Sequence, residues 1–248
     1  MYQLSCDISC FAAENLQQGL AVADTLRINH IELANFGGKP LEQCSGSEVE
    51  DIRSALIDSN KTIVLLSTDL CVTDSAAFNE LFRRAHLLNV KNVRIPLDDQ
   101  PSAPDSAALA QVLKMASAWN IGIVFENERN SFFHDDKTMT EFLFPLPECA
   151  GVIYNPAEFV ALSHHPFFHM FYASKLKNRI RFLRLNDSLY STGETTRLAG
   201  GNAEIKELIS ILLSRSFDGY FSVTPYRSHS AEAMAQTLAE YRMLLKNM

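Results

Sequence analysis

Short apolar runs and amphipathic helical segments alternate along this chain, and the alternation repeats eight times. The sequence predicts strands over Gln3–Ile8, His30–Ala34, Thr62–Leu66 and Asn92–Leu97 in the first half. Gly122–Glu126, Gly151–Asn155, Arg181–Asn186 and Tyr220–Thr224 are predicted in the second. Most of these runs are apolar and β-branched, as in strands covered on both faces. Strict βα alternation requires a parallel sheet with right-handed crossovers. Eight units fit a closed (β/α)8 TIM barrel, an α/β fold that typically takes about 250 residues, and this chain has 248. No linker, repeat or low-complexity stretch divides it, so residues 1–248 read as a single domain. An open doubly wound sheet is the alternative. Its first βα junction here, Cys10-Phe11-Ala12-Ala13-Glu14-Asn15, lacks the G-x-G-x-x-G turn that cradles a dinucleotide.

The helical segments carry their own signals. Leu16, Leu20, Ala23 and Leu26 form one apolar stripe, and Val49, Ile52 and Leu56 with Ser59 form another. Leu109, Val112, Leu113 and Ala116 repeat it, as do Ile205, Leu208, Ile209 and Leu212. Ser47 with Glu50 has the spacing of a capping box, and Asp74 and Asp105 are N-cap candidates. Asn29, Asn60, Asn89 and Asn120 each fall between a helix and the next strand, where a left-handed cap is expected.

Charge and cysteines exclude several classes. A formal net charge of −7 is the wrong sign for a nucleic-acid binder, which needs a basic stripe. Five scattered cysteines without a C-x-x-C pair suit neither a disulfide framework nor a structural zinc site, and they favour a reducing cytoplasm. The start, Met1-Tyr2-Gln3-Leu4-Ser5-Cys6-Asp7, lacks the features of a signal peptide. No apolar stretch approaches the roughly 20 residues that span a bilayer. The expectation is a soluble cytoplasmic protein with no nucleic-acid or membrane partner.

Four strand ends hold the chemistry. Phe125-Glu126-Asn127-Glu128, Tyr154-Asn155-Pro156, Leu183-Arg184-Leu185-Asn186-Asp187 and Ser222-Val223-Thr224-Pro225-Tyr226 all turn polar where a strand should stop. A parallel barrel gathers such ends on the one face where barrel enzymes do chemistry. The two longest connections, 127–137 and 188–202, would lie over that face.

At these residues the chain resembles the xylose-isomerase-like barrel family, which includes sugar and sugar-phosphate isomerases and epimerases and the family-2 AP endonucleases. Val124-Phe125-Glu126-Asn127 looks like the family's v-x-l-E-n, whose Glu binds the metal. Val152-Ile153-Tyr154-Asn155-Pro156 looks like l-x-x-D-p, with Asn155 in place of the Asp. Leu183-Arg184-Leu185-Asn186-Asp187 looks like v-H-l-K-D, with Arg184 for the His, Asn186 for the Lys, and Asp187 kept. Gly219-Tyr220-Phe221-Ser222-Val223-Thr224 looks like G-Y-l-s-i-E, with Thr224 for the second catalytic Glu. His30-Ile31-Glu32-Leu33 and Val93-Arg94-Ile95 match the family's second and fourth strands.

The resemblance implies proton transfer on a small polyhydroxy carbonyl substrate, assisted by a divalent metal (Mn, Mg or Zn). Such chemistry needs hard anionic ligands and a carboxylate base on each face of an enediolate. Of the four ligand positions only Glu126 is retained. Asn155 offers a neutral carbonyl oxygen, Thr224 is no carboxylate, and Arg184 brings a permanent positive charge. No metal ligand set is therefore assigned, and Glu126 and Arg184 are expected to pair directly. Two readings stay open. In one, Glu126 is the catalytic base of an isomerase or epimerase, and Arg94 and Arg184 place an anionic substrate. In the other, an altered family member binds a sugar-like ligand without a metal. Arg94, Arg184, Asn155, Asp187, Thr224 and His229 are the substrate-contact candidates under either.

Other residues have competing readings. Glu32 is a rim hydrogen-bond acceptor or a catalyst, Asp187 a loop cap or a site residue, and Glu128 a loop charge or a displaced base. Arg94 also has Glu32 and Asp69 as candidate partners. His164, His165 and His169 suggest a metal by spacing, but Pro166 and the surrounding aromatics point to packing. His134 is a loop candidate for substrate contact, Arg129 a loop charge, and Cys6 and Cys10 read as packed thiols. Phe132-Phe133, Phe142-Leu143-Phe144 and Phe167–Phe171 read as core, with a lid or homodimer contact as the alternative.

Overall fold

The eight expected strands close into one parallel barrel in a computed structural model that describes residues 3–97, 101–172, 175–226 and 229–248, the side chains of 169 and 170 apart. The strands are β1 (Gln3–Asp7), β2 (His30–Leu33), β3 (Thr62–Ser67), β4 (Asn92–Arg94), β5 (Gly122–Glu126), β6 (Ala150–Tyr154), β7 (Ile180–Leu185) and β8 (Tyr220–Val223). Each pairs with its sequence neighbour, and β8 closes on β1 from Gln3↔Tyr220 to Cys6↔Val223. The main helices are α1 (Leu16–Thr25), α2 (Gly46–Asp58), α3 (Ser75–Leu87), α4 (Ser106–Ala118), α5 (Asp136–Leu143), α6 (Pro156–Ala161), α7 (Ile205–Ser214) and α8 (Ala231–Lys246). Among the described residues no helix is long and apolar enough to cross a membrane.

The apolar stripes do what their spacing implies. Leu20, Ala23, Val49, Ile52, Leu56, Leu109, Val112, Leu113, Ala116, Ile205, Leu208, Ile209 and Leu212 are all buried in the layer between strands and helices. A separate buried cluster joins Val64, Leu65, Val124, Ile153 and Phe182, with Tyr220 packed against it. It sits two residues before Glu126 and Arg184 on the same strands, so it forms the floor beneath those side chains.

Strand boundaries depart from expectation where polar side chains take over backbone bonds. β6 and β7 each start one residue early, at Ala150 and Ile180, and stop before Asn155 and Asn186. The backbone N–H of Asn155 donates to the Asn127 side chain at 2.7 Å instead. β4 stops at Arg94 rather than Leu97, although the N–H of Ile95 still reaches the Val124 carbonyl at 3.1 Å.

The helix ends follow one repeated device. Arg27, Asn60, Asn89, Asn120, Ser163 and Ser216 all have positive φ. The N–H of the next residue then reaches back to a carbonyl in the last turn, as Lys61 to Leu56, Val90 to Ala85 and Ile121 to Ala116. Asn29 does not take this conformation; Arg27 does. Asn29 lies two residues beyond Arg27, directly before β2, and its side chain accepts from Lys61 Nζ at 3.4 Å.

The capping box is formed by Ser45 and Glu48, not by Ser47 and Glu50. Ser45 Oγ accepts from the Glu48 N–H at 3.3 Å, and the Glu48 carboxylate accepts from the Ser45 N–H at 2.6 Å. Both pairs have the required spacing. Lys39 decides between them: its ammonium holds Glu48 at 2.7 Å, while Glu50 pairs with Arg53. Asp74 and Asp105 cap α3 and α4 as expected.

Two connections are more structured than expected. The 188–202 segment begins in a short antiparallel ribbon, Asp187–Ser188 against Thr195–Thr196. Between β6 and β7, the aromatic-rich stretch Pro166–Tyr172 winds as a π-helix in which Phe171 is buried and Phe168 and Tyr172 are exposed.

Ser45→Ala is expected to lower unfolding stability by about 1 kcal/mol, the ordinary cost of losing an N-cap. Ser47→Ala should change it by less than about half of that. Urea unfolding of the two variants checks the register of the box.

Candidate functional site

The inward-facing residues at the C-terminal ends of β2, β4, β5 and β7 are Glu32, Arg94, Glu126 and Arg184, and they form one charged chain across the barrel mouth. Arg184 forks onto Glu126, with Nε donating to Oε1 at 3.0 Å and Nη2 to Oε2 at 2.9 Å. Asn155 Nδ2 donates to Oε1 at 2.9 Å, and Arg94 Nε lies 3.2 Å from Oε2. A carboxylate has about four lone-pair positions. Three hydrogen bonds reach Glu126, from Arg184 and Asn155, and the Arg94 guanidinium adds an ion pair at Oε2.

The chain continues on both sides. Arg184 Nη1 donates to Glu32 Oε2 and to Ser222 Oγ, each at 2.6 Å. Glu32 Oε1 accepts from Ser5 Oγ at 2.5 Å. Arg94 Nη2 reaches Glu128 Oε1 at 2.6 Å. Three carboxylates therefore alternate with two guanidiniums, and Glu32 and Glu126 are only 2% and 8% exposed. Charges this dry persist only when each has partners on every side.

Burial alone would raise the Glu126 pKa. The Arg184 charge and its hydrogen bonds, then Arg94 and Asn155, outweigh burial and hold it below the ordinary value. Burial works against the Arg184 charge too, but Glu126 and Glu32 keep it protonated, well above its ordinary range. Asp7, at the end of β1, is raised by burial. Burial also pushes the Cys10 thiol up to about 12, so it is no nucleophile.

The expected site residues separate into two groups. Glu126, Arg184, Arg94 and Asn155 come together, and the expected Glu126–Arg184 pair is present. Asn186 joins at the edge, its Nδ2 donating to Asn155 Oδ1 at 2.8 Å. Asp187 turns away from the mouth. Its carboxylate accepts from the N–H groups of Ser188, Gly201 and Ala203 at 2.9, 3.0 and 2.8 Å, which clamps the loop after β7. Thr224 is half-buried and its hydroxyl bonds to none of the described residues. His229 is exposed, beside the α8 cap Ser230, and no described contact links it to the cluster.

The remaining candidates are held elsewhere. His134 Nδ1 bonds the Ser131 carbonyl at 2.7 Å. His165 lies 3.7 Å from Glu204 and edge-on to Tyr190. The His169 side chain lies outside the described residues. Arg129 forks onto Glu158 at 2.8 Å from both Nε and Nη2. Arg94 takes Glu126 and Glu128 as partners rather than Glu32. Among the described residues no group of three or more His, Cys, Asp and Glu side chains converges to hold a metal ion.

Sequence reasoning missed Ser5, Ser222 and Asn127. Ser5 and Ser222 are paired residues of adjacent strands, both fully buried. A lone serine inside an apolar run was the available signal. Asn127 is also fully buried, and exchanges two hydrogen bonds with the backbone of Asn155. It fixes where Asn155 points.

No protein-family model matches this chain, and no curated protein matches it by sequence. Solved structures do match by shape. An IOLI protein with a bound zinc atom superimposes with a TM-score of 0.80 at 13% identity, over 99% of this chain and 98% of that one. A xylose isomerase-like TIM-barrel protein from Mycobacterium smegmatis in complex with magnesium gives 0.75 at 16% identity, over 99% and 96%. A D-tagatose 3-epimerase-like protein gives 0.74 at 14%, over 98% and 97%. The chain thus has the fold of xylose isomerase-like TIM barrels.

Arg184→Ala strands two buried carboxylates and should cost about 3–5 kcal/mol of unfolding stability in urea titrations. A pH series should separate Glu126 from the other acids. Its folded pKa lies below its ordinary value of 4.5, so the stability it adds is present above that pH and is lost as pH falls through the folded value. The raised Asp7 and Asp187 act in the opposite sense and are common to both proteins. The stability difference between wild type and Glu126→Gln should therefore shrink as pH drops below about 4.5.

Proposed function

We propose that this barrel binds a small, neutral, polyhydroxylated ligand at its mouth without a metal, and does not perform metal-assisted proton transfer. The engagement of both Glu126 oxygens by Arg184, Asn155 and Arg94 carries the reading. A general base near a carbonyl works best with a pKa close to ambient pH, and Glu126 is pushed the other way. A divalent ion needs free carboxylate oxygens, whereas Oε1 of Glu126 already takes two donors and Oε2 takes one and is ion-paired with Arg94.

The other residues at the mouth fit a metal no better. Asn155 donates its amide to Glu126 and uses its carbonyl oxygen on Asn186. The Arg184 guanidinium lies within 3.0 Å of both Glu126 oxygens, where its charge repels a cation. Magnesium and zinc belong to the structural relatives named above. In this chain Arg184 supplies the positive charge instead.

Ligand chemistry follows from what is left over. Arg184 spends four of its five N–H groups inside the cluster, which leaves little to grip a phosphate. Asn186 Oδ1 is a buried acceptor with no hydrogen-bond partner, and Thr224, half-buried, follows the end of the adjacent strand β8. An unpaired buried acceptor calls for a donor, and a sugar-like hydroxyl supplies one. The isomerase and epimerase resemblance supports the same ligand class.

Equilibrium dialysis with Mn²⁺ and Zn²⁺ is expected to show no stoichiometric uptake by the wild type. Neutral polyols are expected to raise the melting temperature whether or not EDTA is present. Asn155→Asp/Arg184→His/Thr224→Glu together should create metal uptake. Stoichiometric Mn²⁺ binding by the wild type that Glu126→Ala abolishes, or isomerisation that requires Mn²⁺, would overturn the proposal.

A further inference from the structure

At the opposite rim of the barrel lies a second place of concentrated charge, unconnected with the mouth. A cavity of about 420 Å³ opens there beneath β6 and β7, lined by Leu143, Phe144, Leu176, Lys175, Arg179 and Arg181, with Glu148 also at its edge. That volume is in the range of small-molecule sites. Three cations face one carboxylate, although the whole chain carries a net charge of −7.

The cations are not paired off. None of Lys175, Arg179 and Arg181 has a carboxylate partner among the described residues. Arg179 donates to main-chain carbonyls, with Nη1 to Pro147 at 2.7 Å and Ala150 at 3.1 Å, and Nη2 to Leu146 at 2.8 Å. Arg181 Nη2 donates to the Glu148 carbonyl at 3.1 Å. Carbonyls fix the direction of a guanidinium without cancelling its charge. Lys175 Nζ stands over the Phe144 ring, 5.7 Å from its centre.

The backbone is shaped for this arrangement. Val152 pairs with Ile180 but Ile153 pairs with Phe182, so Arg181 is the extra residue of a β-bulge. Bulges re-aim a side chain. The stem of Arg181 lies across Gly151, where a Cβ would stand 2.5 Å from Arg181 Cγ. Position 151 therefore excludes any larger residue while Arg181 keeps its course. Phe144, which forms one wall, is 74% exposed, an unusual state for an aromatic ring.

We infer that this cavity is a binding site for a small organic anion, with a carboxylate or phosphate group held between Lys175 and Arg181. The apolar part of the ligand lies on Phe144, Leu143 and Leu176. Arg179 positions the rim rather than the ligand, because its donors are engaged with carbonyls. Arg181 lies three residues before Arg184, about 10 Å along the strand, so the two sites are separate and either can be occupied alone.

Isothermal titration at low salt with benzoate and with phenyl phosphate tests the inference. Saturable binding by the wild type is expected, weakening as salt is added, and the anion that binds more tightly identifies carboxylate or phosphate as the natural group. Lys175→Gln/Arg181→Gln should weaken it by about tenfold or more, the loss expected when hydrogen bonds from charged donors are removed. Arg181→Lys should retain part of the affinity, and Thr224→Ala at the mouth should retain all of it. Lys175→Gln alone provides the reading if the double variant does not fold, since Lys175 is exposed and makes no hydrogen bond to the described residues. No saturable binding of either anion, or binding that the glutamine variants leave unchanged, overturns the inference.

Discussion

The fork between Arg184 and Glu126 is the constraint that the barrel mouth is built around. Two buried carboxylates, Glu32 and Glu126, face each other across β2 and β5, and a cation between them offsets the cost of burying both. Arg184 reaches both from β7. A guanidinium suits this role because it is planar, always charged and able to donate to two carboxylates at once. The same property closes the site to a metal. A free ion would have to share oxygens that are already used and stand beside a fixed positive charge.

The loops over that face are anchored independently of the charged chain. Asp187 holds the β7–β8 connection through three backbone N–H groups, and Gly201 lies so close to the Ser188 carbonyl and the Asp187 carboxylate that a Cβ has no room. Arg129 ties the β5 loop to Glu158 at the start of α6 and touches the Gly193 carbonyl of the ribbon at 3.5 Å. Tyr190 adds a bond to the His164 carbonyl at 3.1 Å. Asp187, a site candidate by position, thus serves as a loop anchor. Its carboxylate is directed at backbone donors, which a sequence pattern does not reveal.

Much of the fold was legible because its signals are local. The stripe through Leu109, Val112, Leu113 and Ala116 and the caps at Asp74 and Asp105 depend on residues within one or two turns of each other. Errors arose where a local signal was duplicated or overruled from a distance. Ser45–Glu48 and Ser47–Glu50 are equivalent in sequence, and Lys39 separates them only once the chain has folded back. The aromatic stretch after α6 gave no sign of π-helical winding, which follows from docking Phe171 inward while Glu204, from the start of α7, accepts the Phe167 N–H at 2.8 Å.

By itself the sequence determined eight βα units, their closure into a barrel, and a glutamate and an arginine at the ends of β5 and β7. Those features rest on periodicity and chain order, and a protein of the same shape shares only 13% identity with this chain. Only the tertiary structure decided how many donors meet on Glu126, that Ser5 and Ser222 complete the chain, and that Asp187 turns to the loop instead. It also revealed the basic cavity at the far rim, which depends on a bulge in β7. The physical reason is common to all of these. Hydrogen-bond saturation and charge compensation are sums over residues far apart in sequence, and they acquire values only when the strands are brought side by side.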